Sequence, residues 1–156
     1  VASTACVVVE LSLGYPDAAT EKSLLYQHKQ GQPVDRLTPV TNMDQIAEMQ
    51  HEIRSIYIDE AVTDYLLSIV RRTREHASVL LGASPRASLS FLNAVKAFAF
   101  LQQREYVLPD DIKTLAPYVL AHRIILRPES RLDNVSPESV LKNILQQVHV
   151  PVAMER

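Results

Sequence analysis

Arg86 is the residue whose type and position most invite chemistry. It follows Ser84-Pro85, a pair that starts a helix. Serine accepts from the free N–H groups of a first turn, and proline suits the first helical position because its missing N–H is not needed there. An arginine in that turn opposes the helix dipole, at a cost of roughly 0.3–1 kcal/mol. The unsatisfied N–H groups of the same turn attract anions. An arginine and a helix N-terminus directed at one spot would hold a phosphate. Gly82-Ala83-Ser84 just before are small and would let a ligand approach closely. The bland reading is a surface arginine bent back into solvent, and spacing alone leaves both readings open.

The other candidates for chemistry are weaker. There is no G-x-x-x-x-G-K-[ST] loop and no G-x-G-x-x-G. His51-Glu52 is followed by Ser55 where a zinc helix needs its second histidine, and the remaining histidines (His28, His76, His122 and His149) are dispersed. Asp110-Asp111 reads as charge in a helix first turn rather than a catalytic carboxylate pair. Arg71, Arg72, Arg74 and His76 read as cations at a helix C-terminus. A phosphate-contacting patch is their alternative, but no aromatic residues interleave with them. Cys6 lies in an apolar segment that keeps a thiol protonated.

The elements that must position Arg86 are mostly helical. Cys6 to Leu13 is rich in β-branched residues and reads as a strand, broken by Gly14-Tyr15-Pro16. A first helix is expected over Asp17 to Gln30, capped by Gly31. A second starts near Asn42, with Gln45 as capping-box partner and Ile46, Met49, Ile53 and Ile56 at helical spacing. A third starts near Asp59, with Val62, Tyr65, Leu66, Ile69 and Val70 as its stripe. The fourth runs from Ser84 to about Arg104 with Leu89, Leu92, Val95, Phe98 and Leu101 apolar, and its wide apolar surface suggests the central helix. The fifth starts at Pro109, with Ile112, Leu115, Ala116 and Val119 inward. The sixth starts at Ser136-Pro137-Glu138, buries Val140, Ile144 and Val148, and ends at Pro151.

The expected fold class is therefore all-α, a bundle of about six helices preceded by one orphan β-strand. A lone strand has unpaired N–H and C=O groups. Its sheet is expected to lie upstream, in an α/β core. Without that sheet the strand is expected to be disordered or to pair with another copy.

Composition excludes several classes. A net charge of −2 with interspersed signs calls for no nucleic acid partner. No apolar stretch reaches the roughly 20 residues of a membrane span. Val1 to Val9 lacks the basic start of a signal peptide. The single cysteine forbids an intrachain disulfide and a cysteine-based metal site, and suits a reducing, cytoplasmic setting.

Several blocks, in order, carry a resemblance. Gly82-Ala83-Ser84-Pro85-Arg86-Ala87 resembles the sensor-2 motif of MoxR-family AAA+ ATPases. Arg104 to Asp111 resembles the stretch before that family's next lid helix, and His122-Arg123-Ile124 its ending. Leu13-Gly14-Tyr15-Pro16 resembles the junction of last core strand and lid, and Val140 to Pro151 the closing helix. The resemblance covers about residue 8 to residue 151.

The resemblance implies residues 1–15 as last core strand plus hinge, and residues 16–156 as a lid closing over ATP held on the upstream core. Arg86 would contact the γ-phosphate as the catalytic residue of this segment. Tyr15, Pro16, Gly82, Ala83, Ser84 and Arg86 would line the nucleotide. The intact parent would use ATP with Mg, assemble as a homo-oligomeric ring with neighbouring subunits, and act like a chaperone on a client the sequence does not name. The segment alone is expected to be inactive, since the phosphate loop, the magnesium-binding acid and the water-positioning residue are absent from it. Two departures stand out. Thr4-Ala5-Cys6 occupy the place of an arginine-containing turn that reaches the neighbouring subunit. Gln103 stands where a glycine is common, which is expected to alter only a local turn. Two readings compete with the lid. One is a stand-alone helical protein-binding adaptor with no nucleotide role. The other is a nucleic-acid module using the Arg71 to His76 end.

Overall fold

Helix starts follow the capping residues along the chain. The computed structural model describes residues 7–28, 34 and 37–151. Its elements are α1 (Ala18–His28), α2 (Met43–Ser55), α3 (Glu60–Glu75), β1 (Val79–Leu81), α4 (Pro85–Leu101), α5 (Pro109–Leu120), a 3-10 turn (Ala121–Arg123), β2 (Ile125–Leu126), α6 (Pro128–Leu132) and α7 (Pro137–Gln147). The expected helical fold class holds, with short α6 and the two-stranded ladder as additions. Cys6, the Thr4-Ala5-Cys6 turn and Gly31 lie outside the described residues.

The described residues fall into two compact units: Leu11–Gln50, and Val7–Glu10 together with His51 onward. The first unit holds α1 and most of α2. Asp17 caps α1, accepting from Thr20 N–H at 2.8 Å. Asn42 and Gln45 form the expected reciprocal box before α2: Gln45 N–H donates to Asn42 Oδ1 at 2.9 Å, and Asn42 N–H to Gln45 Oε1 at 3.2 Å. The apolar spacing of α2 makes a helix but not a buried one. No residue of α2 is buried, Ile46 and Met49 are exposed, and only Ile56, beyond its end, joins the core.

The larger unit has the core. Helix α3 buries Val62, Tyr65, Leu66, Ile69 and Val70 as its periodicity predicts, and Thr73 one turn later. Helix α5 buries Ile112, Ala116, Val119 and Leu120, and α7 buries Val140, Leu141 and Ile144. Helix α4 differs from expectation. Its buried residues are Ala87, Phe91, Val95 and Ala99, while Leu89 and Leu101 are exposed. Its surface is apolar nearly all round, so period alone does not choose the inward face. The alanine-rich face lets α3 and α5 approach closely, and the larger leucines are left outside. Nor is α4 central: α3 and α5 each pack on all three other long helices of this unit. Helix α7 docks on α3 and α5.

Two short pairings missed by pattern reading hold the loops. β1 and β2 are antiparallel, with Val79 opposite Leu126 and Leu81 opposite Ile125 across a bulge. Tyr57 N–H donates to Glu105 O at 2.8 Å and Val107 N–H to Tyr57 O at 3.0 Å, tying the α2–α3 link to the α4–α5 link. Strands of two or three residues carry no legible alternation.

Val7 to Leu13, expected as a strand, has no ladder. A strand exists only through its partners, and here α5 and the 3-10 turn after it take part in two isolated bonds instead. Glu10 N–H donates to Tyr118 O at 2.9 Å, and Arg123 Nη2 donates to Val7 O at 2.6 Å. The chain's own fold, not a second copy, thus satisfies these two groups.

Helix α4 ends in a Schellman turn. Arg104 N–H donates to Ala99 O at 3.0 Å and Gln103 N–H to Phe100 O at 2.8 Å, with Gln103 at φ +56°. That left-handed residue is where glycine is ordinarily favoured. The turn is kept despite the side chain, so the change is local, as expected.

Candidate nucleotide-facing edge of the lid

The last turn of α3 grips the segment that leads to Arg86. Thr73 is fully buried. Its hydroxyl donates to Val70 O at 2.6 Å and accepts from Ala83 N–H at 3.0 Å. Arg74 Nε donates to Ala83 O at 2.7 Å. Ala83 is itself fully buried, and both its backbone polar groups are therefore satisfied by α3 side chains. A Cβ on Gly82 would come within 2.6 Å of Arg74 N and 2.7 Å of Arg74 Cα. The small size of Gly82 thus serves close packing on α3, and the burial of Ala83 fits that packing.

Beyond Ala83 the chain turns outward. Ser84 caps α4: its Oγ accepts from Ala87 N–H at 3.4 Å and its carbonyl accepts from the same group at 2.9 Å. Pro85 takes the first helical position. Ala87 is buried against the core, which directs its neighbour Arg86 outward. Arg86 is exposed and has no hydrogen bond or ion pair among the described residues. The helix start at Ser84-Pro85 is what the residue types predicted.

An open depression of about 600 Å³ borders this turn. Leu80, Leu81, residues 82–85, Arg74 and Arg123 line it, and Arg86 follows directly after Pro85 in the chain without lining it itself. Arg123 was not singled out from residue chemistry. It donates through Nε to His122 Nε2 at 3.2 Å, besides its bond to Val7 O. His122 Nδ1 is buried and lies 3.8 Å from Glu10 Oε2. Two of the basic residues at the end of α3 make structural contacts. Arg72 reaches Gln147 Oε1 at 3.4 Å, and Arg74 is committed through Nε to Ala83. No signal in the sequence marked Thr73 beyond its place one turn past the α3 stripe.

Tyr15 and Pro16 belong to the Leu11–Gln50 unit, where both are exposed, and follow Gly14 at φ +68°. Among the described residues no three His, Cys, Asp or Glu side chains cluster to hold a metal ion. Asp111 is structural. Its carboxylate takes both Arg104 Nη atoms and Leu108 N–H, and pairing with it raises the Arg104 pKa above its already high ordinary value.

Comparison with known proteins decides what this edge belongs to. Residues 71–144 match the AAA lid domain family, a stretch that holds α4, α5 and the whole Gly82 to Arg86 turn. Chaperone MoxR1 of Mycobacterium tuberculosis is 29% identical over 151 residues, covering 91% of this chain and 40% of that protein. This is the lid region of a MoxR-family AAA+ protein. The chain is also 37% identical to the uncharacterized protein YeaC of Bacillus subtilis, over 92% of this chain and 45% of that protein. Its fold matches the crystal structure of a candidate ATPase from Cytophaga hutchinsonii, with TM-score 0.84 and 28% identity over 96% of this chain and 48% of that one. The chain spans less than half the length of each of these relatives. No helix of its described residues is long and apolar enough to cross a membrane.

Proposed function

We propose that the Gly82–Arg86 turn is the nucleotide-facing edge of this lid, and that Arg86 contacts the γ-phosphate of ATP held on an upstream core. The observation that carries the reading is Arg86 itself: exposed, unpaired among the described residues, and set in the first turn of α4, next in sequence to a depression whose lining includes Arg74 and Arg123. Pro85 has no N–H and the Ala87 N–H is taken by Ser84, so the Arg86 N–H and the Ser84 hydroxyl are the further donors this turn offers an anion. Gly82 and Ala83 serve by shaping the turn, and Tyr15 and Pro16 flank the base, with Gly14 as hinge.

In this reading the lid converts the presence of the γ-phosphate into a rigid-body movement. ATP comes with Mg in the intact protein, the subunits form a ring, and the machine acts on a client protein in chaperone fashion. The lid region matched to the AAA family and to a named MoxR chaperone supports the assignment. Arg86→Ala in the full-length protein is expected to cut ATP turnover by about 10²–10³, the loss typical of one charge-stabilising donor. ADP affinity is expected to change little. Equal losses in turnover and in ADP affinity would remove the γ-phosphate role.

A further inference from the structure

Arg86 is aimed by a turn whose anchor lies on another helix. We infer that Thr73 is a positioning residue for Arg86, acting through the buried Ala83 amide, an inference that rests on the phosphate-sensing reading above. Three observations converge. The Thr73 hydroxyl bridges Val70 O at 2.6 Å and Ala83 N–H at 3.0 Å. Arg74 Nε holds the carbonyl of the same Ala83 at 2.7 Å. Gly82 is seated on the α3 backbone so tightly that no Cβ fits.

Ala83 directly precedes the Ser84 cap, and Ala87, one turn on, is fully buried. The first turn of α4 is therefore clamped at both ends, by α3 before it and by the core after it. Arg86 lies between the clamps, and among the described residues no hydrogen bond or ion pair holds its side chain. Only the backbone sets where its guanidinium can reach. Val70 and Thr73 both belong to the buried stripe of α3, so the hydroxyl ties the turn to the core-facing side of that helix. A valine at position 73 keeps the shape and removes both hydrogen bonds, leaving the Ala83 N–H buried without an acceptor. The turn then relaxes away from α3, and Arg86 moves with it.

The test is a double-mutant cycle on ATP turnover in the full-length protein. Thr73→Val alone is expected to lower kcat by about tenfold to a hundredfold, the loss that a misplacement on the order of 1 Å carries. Thr73→Ser, which keeps the hydroxyl, is expected to restore turnover. In an Arg86→Ala background, Thr73→Val is expected to change kcat less than about twofold, because the residue it positions is gone. Should the valine variant prove unstable, Thr73→Ala supplies the same comparison. A loss of equal factor in both backgrounds would assign Thr73 to general stability and overturn the inference, as would an unchanged kcat in Thr73→Val. If Arg86→Ala is itself without effect, the phosphate-sensing reading falls, and this inference falls with it.

Discussion

Asp110 and Asp111 are neighbours in one helix turn, yet replacing each by alanine is expected to have very different consequences. Asp111 accepts from Arg104 Nη2 at 2.6 Å, Arg104 Nη1 at 2.9 Å and Leu108 N–H at 2.8 Å. Its side chain is 6% exposed and that of Arg104 22%. Removing the carboxylate leaves a partly desolvated guanidinium with Tyr106 O, at 3.0 Å, as its one remaining acceptor among the described residues. Breaking a buried pair from one side costs about 3–5 kcal/mol, and the exposed part of Arg104 can rehydrate, which places this loss near 3 kcal/mol. The uncapped Leu108 N–H adds about 1 kcal/mol. At roughly 2–4 °C per kcal/mol for a chain of this size, Tm of Asp111→Ala should fall by about 8–16 °C. The Asp110 side chain is 82% exposed and meets only Lys113, at 2.8 Å. Asp110→Ala should cost below about 1 kcal/mol. Urea unfolding followed by circular dichroism, with thermal melts alongside, reads both. Arg104→Met together with Asp111→Leu should lose less than Asp111→Ala alone, since neither charge is then stranded. Equal losses at positions 110 and 111 would refute the reasoning, for the burial of the pair would then carry no weight.

Further outcomes follow from the same geometry. Gln103 holds the left-handed position of the α4 Schellman turn with an exposed side chain. Gln103→Gly should therefore stabilise by about 0.5–1 kcal/mol and Gln103→Ala hardly at all, as read by the urea midpoint. Gly82→Ala forces a methyl against the α3 backbone and should cost about 1–3 kcal/mol in the same assay. Hydrogen bonds from Thr20, its side chain first and its backbone N–H second, hold the Asp17 carboxyl below its ordinary value of 3.8. A depressed folded-state pKa means that the α1 cap is fully present above 3.8 and is lost as pH falls through the lower value. The Thr20 amide resonance, followed by NMR from neutral pH downward, should move with a midpoint below 3.8, and a midpoint above it contradicts the cap.

Much of this protein is local chemistry, and local chemistry is legible in sequence. Ser84-Pro85, Asn42 with Gln45, Asp59 and Ser136-Pro137 start their helices because a cap is a contact between residues two or three apart. The α3 and α7 stripes are read from period because one face of each is polar. The exposed Arg86 in a helix first turn is likewise a matter of spacing. What the tertiary structure alone decided depends on residues far apart in the chain. The inward face of α4 was set by which side let α3 and α5 approach, not by which side carried the larger leucines. The β1–β2 ladder joins segments over forty residues apart and is too short to alternate. Val7 to Leu13 has the composition of a strand, but a strand needs a partner, and among the described residues it meets only two isolated bonds, to Tyr118 and Arg123. Gly82 looked free to admit a ligand, and its space is filled by the backbone of Thr73 and Arg74. The hold that Thr73 takes on Ala83 spans ten residues and two elements. No periodicity marks such a bond, because a buried hydroxyl between helices is set by packing rather than by its neighbours in the chain.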